Sequence, residues 1–511
     1  MRRAAPPPGW PPNPKSEIQN PLGVLVMPSR PPNIFVFMSD QEQAQVVNPE
    51  HPCLTPVADK LAREGLLFRR CYTTSAHSCP ARATYFTGFY PSVAKVYNNV
   101  CNAQKISGTY DPALTHFSQC LREADWNLGI TGKWHCSDTE DPGERGWDEV
   151  YPTATKAAHM GVHWEQWTAL AEKGFDFDTP RSPGEIVNPG YGRHLAYGVR
   201  PGGIEDTDDY KVVTRAIEAM ERYAREDKPF LIHCGPTNPH DPYVVPQNYV
   251  DRYNLADVPL PPNYRDNLRD KPRLYQRQAQ LWAQLSEDEV RDSVRHYWAD
   301  CSLVDELRGM VYDAVDALGL RDNTVLIFTS DHGDYVGAHG LYCKGVPAFD
   351  EAMRLPLIVR WPEGIADPGR EVDEFVTLAD FHATFLELAG LDPLPTHGQS
   401  FAPFFRSGEV EGWPQEYYNQ MGSVELWYTQ RFVQTKYAKY VFNGFDFDEL
   451  YDLDADPLEM VNRIDDPAYE CLKNDMLKRL WKQARRTEDL IGIRYHTCAL
   501  APFGPVIGLA E

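Results

Sequence analysis

The chain has 511 residues, 42% of them hydrophobic and 12% aromatic, enough to bury a large core and to exclude a disordered protein. Its formal net charge of −23 excludes a nucleic-acid partner, because phosphate backbones are met by clustered Lys and Arg. No apolar run approaches a membrane span, so no membrane partner is expected either.

Residues 1–32 are Pro-rich and lack apolar periodicity, and they predict an arm laid on the surface. Arg2-Arg3 is followed by Ala4-Ala5-Pro6-Pro7-Pro8-Gly9-Trp10, without the apolar stretch of an export signal. Short apolar runs then alternate with helical patterns. Strands are predicted at Asn33–Met38, Leu128–Thr131, Pro229–Cys234, Thr324–Thr329 and Pro356–Arg360. Helices are predicted at Thr55–Glu64, Asp208–Glu226 (with Thr207 as N-cap), Glu287–Leu318 and Val376–Leu388. This alternation implies an α/β fold: a large mixed, mostly parallel sheet flanked by helices. Residues 150–205 and 245–290 are polar, aromatic and Pro-rich, and read as insertions over the sheet.

From about residue 410 the character changes. Arg431–Phe442 alternates like a strand and Leu472–Arg486 is an amphipathic helix, predicting a smaller C-terminal α+β subdomain. The expected division is an arm at 1–32, a catalytic domain at 33–410, and a subdomain with tail at 411–511. The eleven cysteines are scattered without a C-x-x-C pair, so they read as reduced thiols of a cytoplasmic protein.

Chemistry is expected where polar residues interrupt the apolar runs. Asn33–Met38 ends in Ser39-Asp40-Gln41, and Leu128–Thr131 in Gly132-Lys133-Trp134-His135. Pro229–Cys234 leads to Asn238-Pro239-His240, and Thr324–Thr329 to Ser330-Asp331-His332-Gly333-Asp334. Any one of these is ordinarily a turn or a cap. Four together point to one rim, because ligands of open α/β sheets bind at the carboxyl ends of strands. Asp40, Asp331 and His332, helped by Gln41, form an oxygen-rich divalent site with one nitrogen. That donor set suits Ca2+, Mn2+ or Mg2+, with Zn2+ also compatible. A second acidic trio, Asp452, Asp454 and Asp456, starts like a calcium loop but has Pro457 where Gly is required and Arg463 where Glu is required; it predicts a turn.

In Ser78-Cys79-Pro80-Ala81-Arg82-Ala83, Pro80 suits the first turn of a helix, which places Ser78 at the N-terminal end. Free N–H groups there favour an anionic ester. With the tail Thr87-Gly88, the segment resembles the sulfatase signature: Cys or Ser, any residue, Pro, any residue, Arg, then Thr-Gly. Pro80 and Arg82 align Ser78, not Cys79, with the key position. The resemblance runs from about residue 32 to 490. It includes Gly132-Lys133-Trp134-His135, Pro239-His240-Asp241-Pro242-Tyr243, Ser330-Asp331-His332-Gly333, Gly337-Ala338-His339-Gly340 with Lys344, Asp350 to Ile358, and Phe447 to Leu453.

The resemblance implies an alkaline-phosphatase-like fold and hydrolysis of a sulfate ester by a formylglycine made from Ser78, or by the serine itself. It places Asp40, Gln41, Ser78, Asp331 and His332 on one divalent metal. Arg82, Lys133 and Lys344 would hold the charge of the non-bridging oxygens, His240 the leaving alcohol, and His135 would be the base that expels the anion. Asn99 and His339 are candidate substrate contacts. Gln41 and His332 stand where many sulfatases have Asp and Asn, as in phosphonate monoester hydrolases, phosphodiesterases and choline sulfatases. A phosphodiester or phosphonate monoester is therefore the alternative substrate, and an oxyanion-binding protein without turnover is a third reading. Expected partners are the small ester itself and a maturase that converts Ser78; a homo-oligomer is compatible with the sequence.

Overall fold

A computed structural model describes residues 30–101, 105–152, 164–174, 180–188, 192–423 and 427–489, together with residue 506. The predicted N-terminal arm lies outside them except for residues 30–32.

The central sheet contains β1 (Asn33–Ser39), β2 (Leu66–Tyr72), β3 (Asn127–Gly132), β4 (Glu149–Pro152), β5 (Phe230–Gly235), β6 (Thr324–Ser330), β7 (Arg354–Leu355), β8 (Leu357–Arg360) and β9 (Arg370–Thr377). Strands β6-β1-β5-β3-β4 run side by side and parallel. β8 pairs antiparallel with both β6 and β2, and β7 continues the same edge of β2 beyond Pro356. Pro356 breaks that ladder because it has no N–H to donate. β9 covers the other edge of β2 in parallel.

Buried parallel strands read as continuous apolar runs because both faces are covered, and β1 shows why. Phe35 and Phe37 enter the core formed with α1 (Pro56–Glu64), α4 (Asp208–Tyr223) and α5 (Glu287–Ala317). Ile34, Val36 and Met38 enter the opposite core, with α2 (Ser78–Thr87), α3 (Phe117–Glu123) and α6 (Asp380–Leu388). The Thr207 hydroxyl accepts the Tyr210 N–H (3.1 Å), so α4 begins at the predicted cap.

The expected helix Val376–Leu388 is corrected at its start: Arg370–Thr377 is strand, and α6 begins at Asp380. Val376 and Thr377 instead pair with Cys71 and Tyr72 of β2, and that ladder outweighs helical propensity at those positions. The Asp380 carboxylate accepts the Thr377 N–H (2.6 Å) and closes the junction.

The C-terminal subdomain is an antiparallel meander of β10 (Glu416–Ser423), β11 (Trp427–Thr435), β12 (Ala438–Asn443) and β13 (Glu449–Asp452), with α7 (Glu470–Arg486) packed on it. The single strand expected over Arg431–Phe442 is a hairpin turning at Lys436-Tyr437. The acidic trio forms a turn, in which the Asp456 N–H donates to the Asp452 carbonyl (2.8 Å). The meander also touches the segment ahead of Ser78. The Gln420 N–H donates to the Thr74 carbonyl and the Asn419 amide to the Thr73 carbonyl (both 2.9 Å), while Tyr72 stacks on Tyr417. Among the described residues, no helix is long and apolar enough to cross a membrane, and no disulfide joins the cysteines.

Candidate active site

Five parallel strands end on one rim. β1 delivers Asp40 and Gln41, β3 delivers Lys133 and His135, β5 leads to His240, β6 delivers Asp331 and His332, and β2 runs through residues 73–77 into Ser78. Asp40, Asp331 and His332 are fully buried, and their ligand atoms lie within 4.8 Å of one another. Among the described residues they form the one such group of three His, Cys, Asp or Glu side chains.

Ser78 opens α2 with its hydroxyl at this cluster. Its Oγ is 2.9 Å from His332 Nε2, 3.5 Å from Asp40 Oδ1 and 3.1 Å from Lys133 Nζ. Cys79 turns away, and its Sγ accepts the Val100 N–H (3.3 Å). Arg82, one helical turn on, reaches back as expected: Nε donates to Asp331 Oδ2 (2.8 Å) and Nη1 to the Lys133 carbonyl (2.8 Å). Its Nη2 is buried without a hydrogen bond, 3.8 Å from Asp40. The Lys133 ammonium donates to Asp40 Oδ2.

These charges set the protonation states. Burial opposes ionisation of Asp40, yet Lys133, His240, Arg82 and His332 together hold its carboxyl well below the usual range. Asp331 is lowered in the same way, chiefly by Arg82 against burial. Burial pushes His332 down to about 4, leaving a neutral imidazole with a lone pair to offer. Two ionised carboxylates and one neutral imidazole, with cations pressed against the carboxylates, fit a divalent metal ion.

A second group faces the first. His240 Nδ1 donates to the Asp241 carbonyl (2.7 Å), so Nε2 is the atom that accepts from Lys344 Nζ (2.6 Å). Lys344 also donates to Gln41 Oε1 and lies 3.7 Å from Asp241 Oδ1. Burial disfavours its charge, but Asp241 and Asp40 raise its pKa. The hydrogen bonds of the Gln41 amide nitrogen go to Asp241 (2.9 Å) and Asp334. His135 is held with Nε2 3.2 Å from Cys101 Sγ, and burial keeps it far below its ordinary pKa.

The two candidate substrate contacts have the following partners. Asn99 Oδ1 accepts the Cys79 N–H (3.2 Å), so it ties down the first turn of α2. His339 hydrogen-bonds Asn263 and Asp266 (2.8 Å each) and stacks on Phe349, a fully buried packing site.

Sequence reasoning passed over His77, Asp241 and Asp334. His77 is buried ahead of Ser78, its pKa lowered first by burial and then by Lys344, His332 and Lys133. Asp334 accepts from Tyr243 (2.7 Å) and is pushed up to about 7 by burial and Asp241. The latter two lie inside motifs read for their neighbours, and their proximity to those motifs was the available signal.

The Sulfatase family model matches residues 32–391. The chain belongs to the sulfatase family. A model for the C-terminal region of N-sulphoglucosamine sulphohydrolase matches residues 337–486 of this sulfatase, so the meander is shared as well. The chain is 30% identical over 470 residues to an uncharacterized sulfatase, YidJ, of Escherichia coli (strain K12), covering 87% of this chain and 85% of that one. It is 29% identical to the choline-sulfatase of Rhizobium meliloti (strain 1021), over 85% and 83% of the two chains. The phosphonate monoester hydrolase of Agrobacterium radiobacter has the same fold, with TM-score 0.72 at 23% identity over 89% of this chain and 96% of that one. This sulfatase is accordingly a hydrolase.

Proposed function

We propose that this sulfatase cleaves a sulfate ester of a small alcohol, with residue 78 as nucleophile in its formylglycine form. The observation that carries the reading is the position of Ser78 Oγ, within 3.5 Å of His332, Lys133 and Asp40 at once. Asp40, Asp331 and His332 would hold one divalent ion, with Gln41 and residue 78 as further oxygen donors; mostly oxygen ligands favour Ca2+ or Mn2+. The ion would supply Lewis-acid charge to a non-bridging oxygen.

The chain's own groups account for the other steps. Lys133, which already touches Ser78 Oγ, stabilises the nucleophile's anion and the charge growing on the ester oxygens. Arg82 fixes Asp331 and presents toward Asp40 its Nη2, which makes no hydrogen bond among the described residues. The proton shared between Lys344 Nζ and His240 Nε2 is the one available to the leaving oxygen, because His240 Nδ1 is committed to a carbonyl. A hydrated formylglycine has a second hydroxyl; neutral His135, kept so by burial, takes its proton so that the carbon–oxygen bond breaks and the anion leaves. The arm, the catalytic domain at 33–410 and the subdomain from 411 are proposed as the organisation. The C-terminal unit would brace residues 73–77 ahead of the nucleophile.

A second reading rests on Gln41 and His332 in place of Asp and Asn: a phosphonate monoester or phosphodiester as substrate. The test has two parts. Rates on 4-nitrophenyl sulfate and a 4-nitrophenyl phosphonate ester separate the substrates, and mass spectrometry of the tryptic peptide Cys71 to Arg82 reads residue 78, since conversion removes two hydrogens. A wholly unmodified peptide in fully active enzyme refutes the formylglycine step.

A further inference from the structure

His240 acts from a loop, and a loop residue can be aimed only if its backbone is held. The residues between β5 and His240 are held by carboxylates that the mechanism does not use. Asp209, 3% exposed in the first turn of α4, accepts the Thr237 N–H at Oδ1 (2.8 Å) and the Asn238 N–H at Oδ2 (2.7 Å). The Asn238 side chain donates to Asp300 of α5 (2.6 Å). The Thr237 carbonyl in turn accepts the His240 N–H (3.1 Å), and the Asn238 carbonyl accepts the Asp40 N–H (3.4 Å). The dipeptide Thr237-Asn238 is thus gripped from behind by Asp209 and Asp300 and bonded in front to His240 and Asp40.

An acidic residue in the first turn of a helix ordinarily faces solvent or its own N–H groups. Asp209 instead turns inward, and its two oxygens take the adjacent N–H groups of Thr237 and Asn238. Burial opposes its ionisation and pushes it up to about 6, the expected cost of placing a carboxylate there. Among the described residues no ion pair offsets that cost. What it secures is the path of the chain from β5 to the imidazole.

We propose that Asp209 is the positioning residue for His240, setting the imidazole against Lys344 so that the shared proton points at the leaving oxygen; this rests on the role given to His240 above. The holoenzyme, its His240→Ala and Asp209→Asn variants and the double variant are compared on a 4-nitrophenyl ester, whose leaving group needs no proton, and on the matching alkyl ester, which does. His240→Ala should lose about 10²-fold more on the alkyl than on the nitrophenyl ester. Asp209→Asn keeps one acceptor and volume, and should show the same selectivity at roughly tenfold or more within that range. The double variant should then be no slower on the alkyl ester than His240→Ala.

An equal loss on both esters, a loss that adds to that of His240→Ala, or no loss overturns the proposal. So does failure of Asp209→Asn to fold, which would make the residue a prop of the domain rather than of the imidazole. If His240→Ala itself lacks the selectivity, the role of His240 fails first. If it shows the selectivity and Asp209→Asn does not, only the positioning role fails.

Discussion

Lys133→Met separates charge stabilisation from metal binding, because the two effects have opposite signs. The ammonium sits 3.1 Å from Ser78 Oγ and also against Asp40 Oδ2, with the side chain almost buried. Unit charges about 3 Å apart at an effective dielectric near 20 attract by about 5 kcal/mol, a gross figure. Loss of one donor aimed at developing charge in comparable sites costs about 3–4 kcal/mol, or a 10²–10³-fold fall in kcat. Methionine fills the same space without charge, so packing is kept. For the metal the sign reverses. Lys133 is the leading influence that holds Asp40 ionised, but it also competes for the same carboxylate oxygen. Arg82 still favours the Asp40 carboxylate once the lysine is gone, so metal content should be equal to or above that of the wild type. The assay pairs kcat on the preferred nitrophenyl ester with metal analysis after dialysis against a graded chelator. A fall of less than tenfold, or loss of metal in parallel with loss of activity, would refute the reasoning.

Asp331→Ala, which removes a proposed ligand and takes from the buried Arg82 its nearest carboxylate, should abolish turnover and strip the divalent ion; full metal occupancy by elemental analysis would contradict the cluster. Sulfate, phosphate or vanadate should compete with ester substrate if Lys133, Arg82 and Lys344 hold one small anion as proposed, and steady-state inhibition by none of them would count against the pocket. Asp305 accepts the N–H groups of Val57 and Ala58 at the start of α1, and burial raises it from 3.8 to about 6. The folded protein therefore binds more protons than the unfolded chain between those values, so this group's contribution to stability falls as pH rises through that window. Asp305→Asn removes the slope, and its stability relative to wild type should improve by about 3 kcal/mol between pH 4 and 7; parallel urea-denaturation profiles would refute this.

The strands and the rim residues were legible because burial on both faces demands uninterrupted apolar runs, and the first polar residue after each run marks where the strand leaves the core. Asp40, Lys133, Asp331 and His332 were found that way, and Ser78 by its helix start. β2 was missed because Arg69 and Arg70 interrupt its run; both project to surface carboxylates at the sheet's edge and never enter the core. The end of β9, Val376-Thr377, was read as the start of a helix because its residues satisfy either period until a neighbouring strand is known. Asn99 and His339 lie near sulfatase-like motifs in sequence, but the partners of their side chains, the Cys79 N–H for one and Asn263, Asp266 and Phe349 for the other, are visible only in the structure.

The sequence by itself determined the fold class and the residue types that meet at the strand ends, since these follow from periodicity and short-range spacing, while the family came from the resemblance of its motifs to the sulfatase signature. Only the tertiary structure decided which atoms face one another: that His240 offers Nε2 and not Nδ1, that Asp209 spends both oxygens on a distant loop, and that β10 braces the approach to Ser78. Those choices depend on contacts between segments tens to hundreds of residues apart. Their geometry is fixed by how whole layers pack, and no local pattern records it.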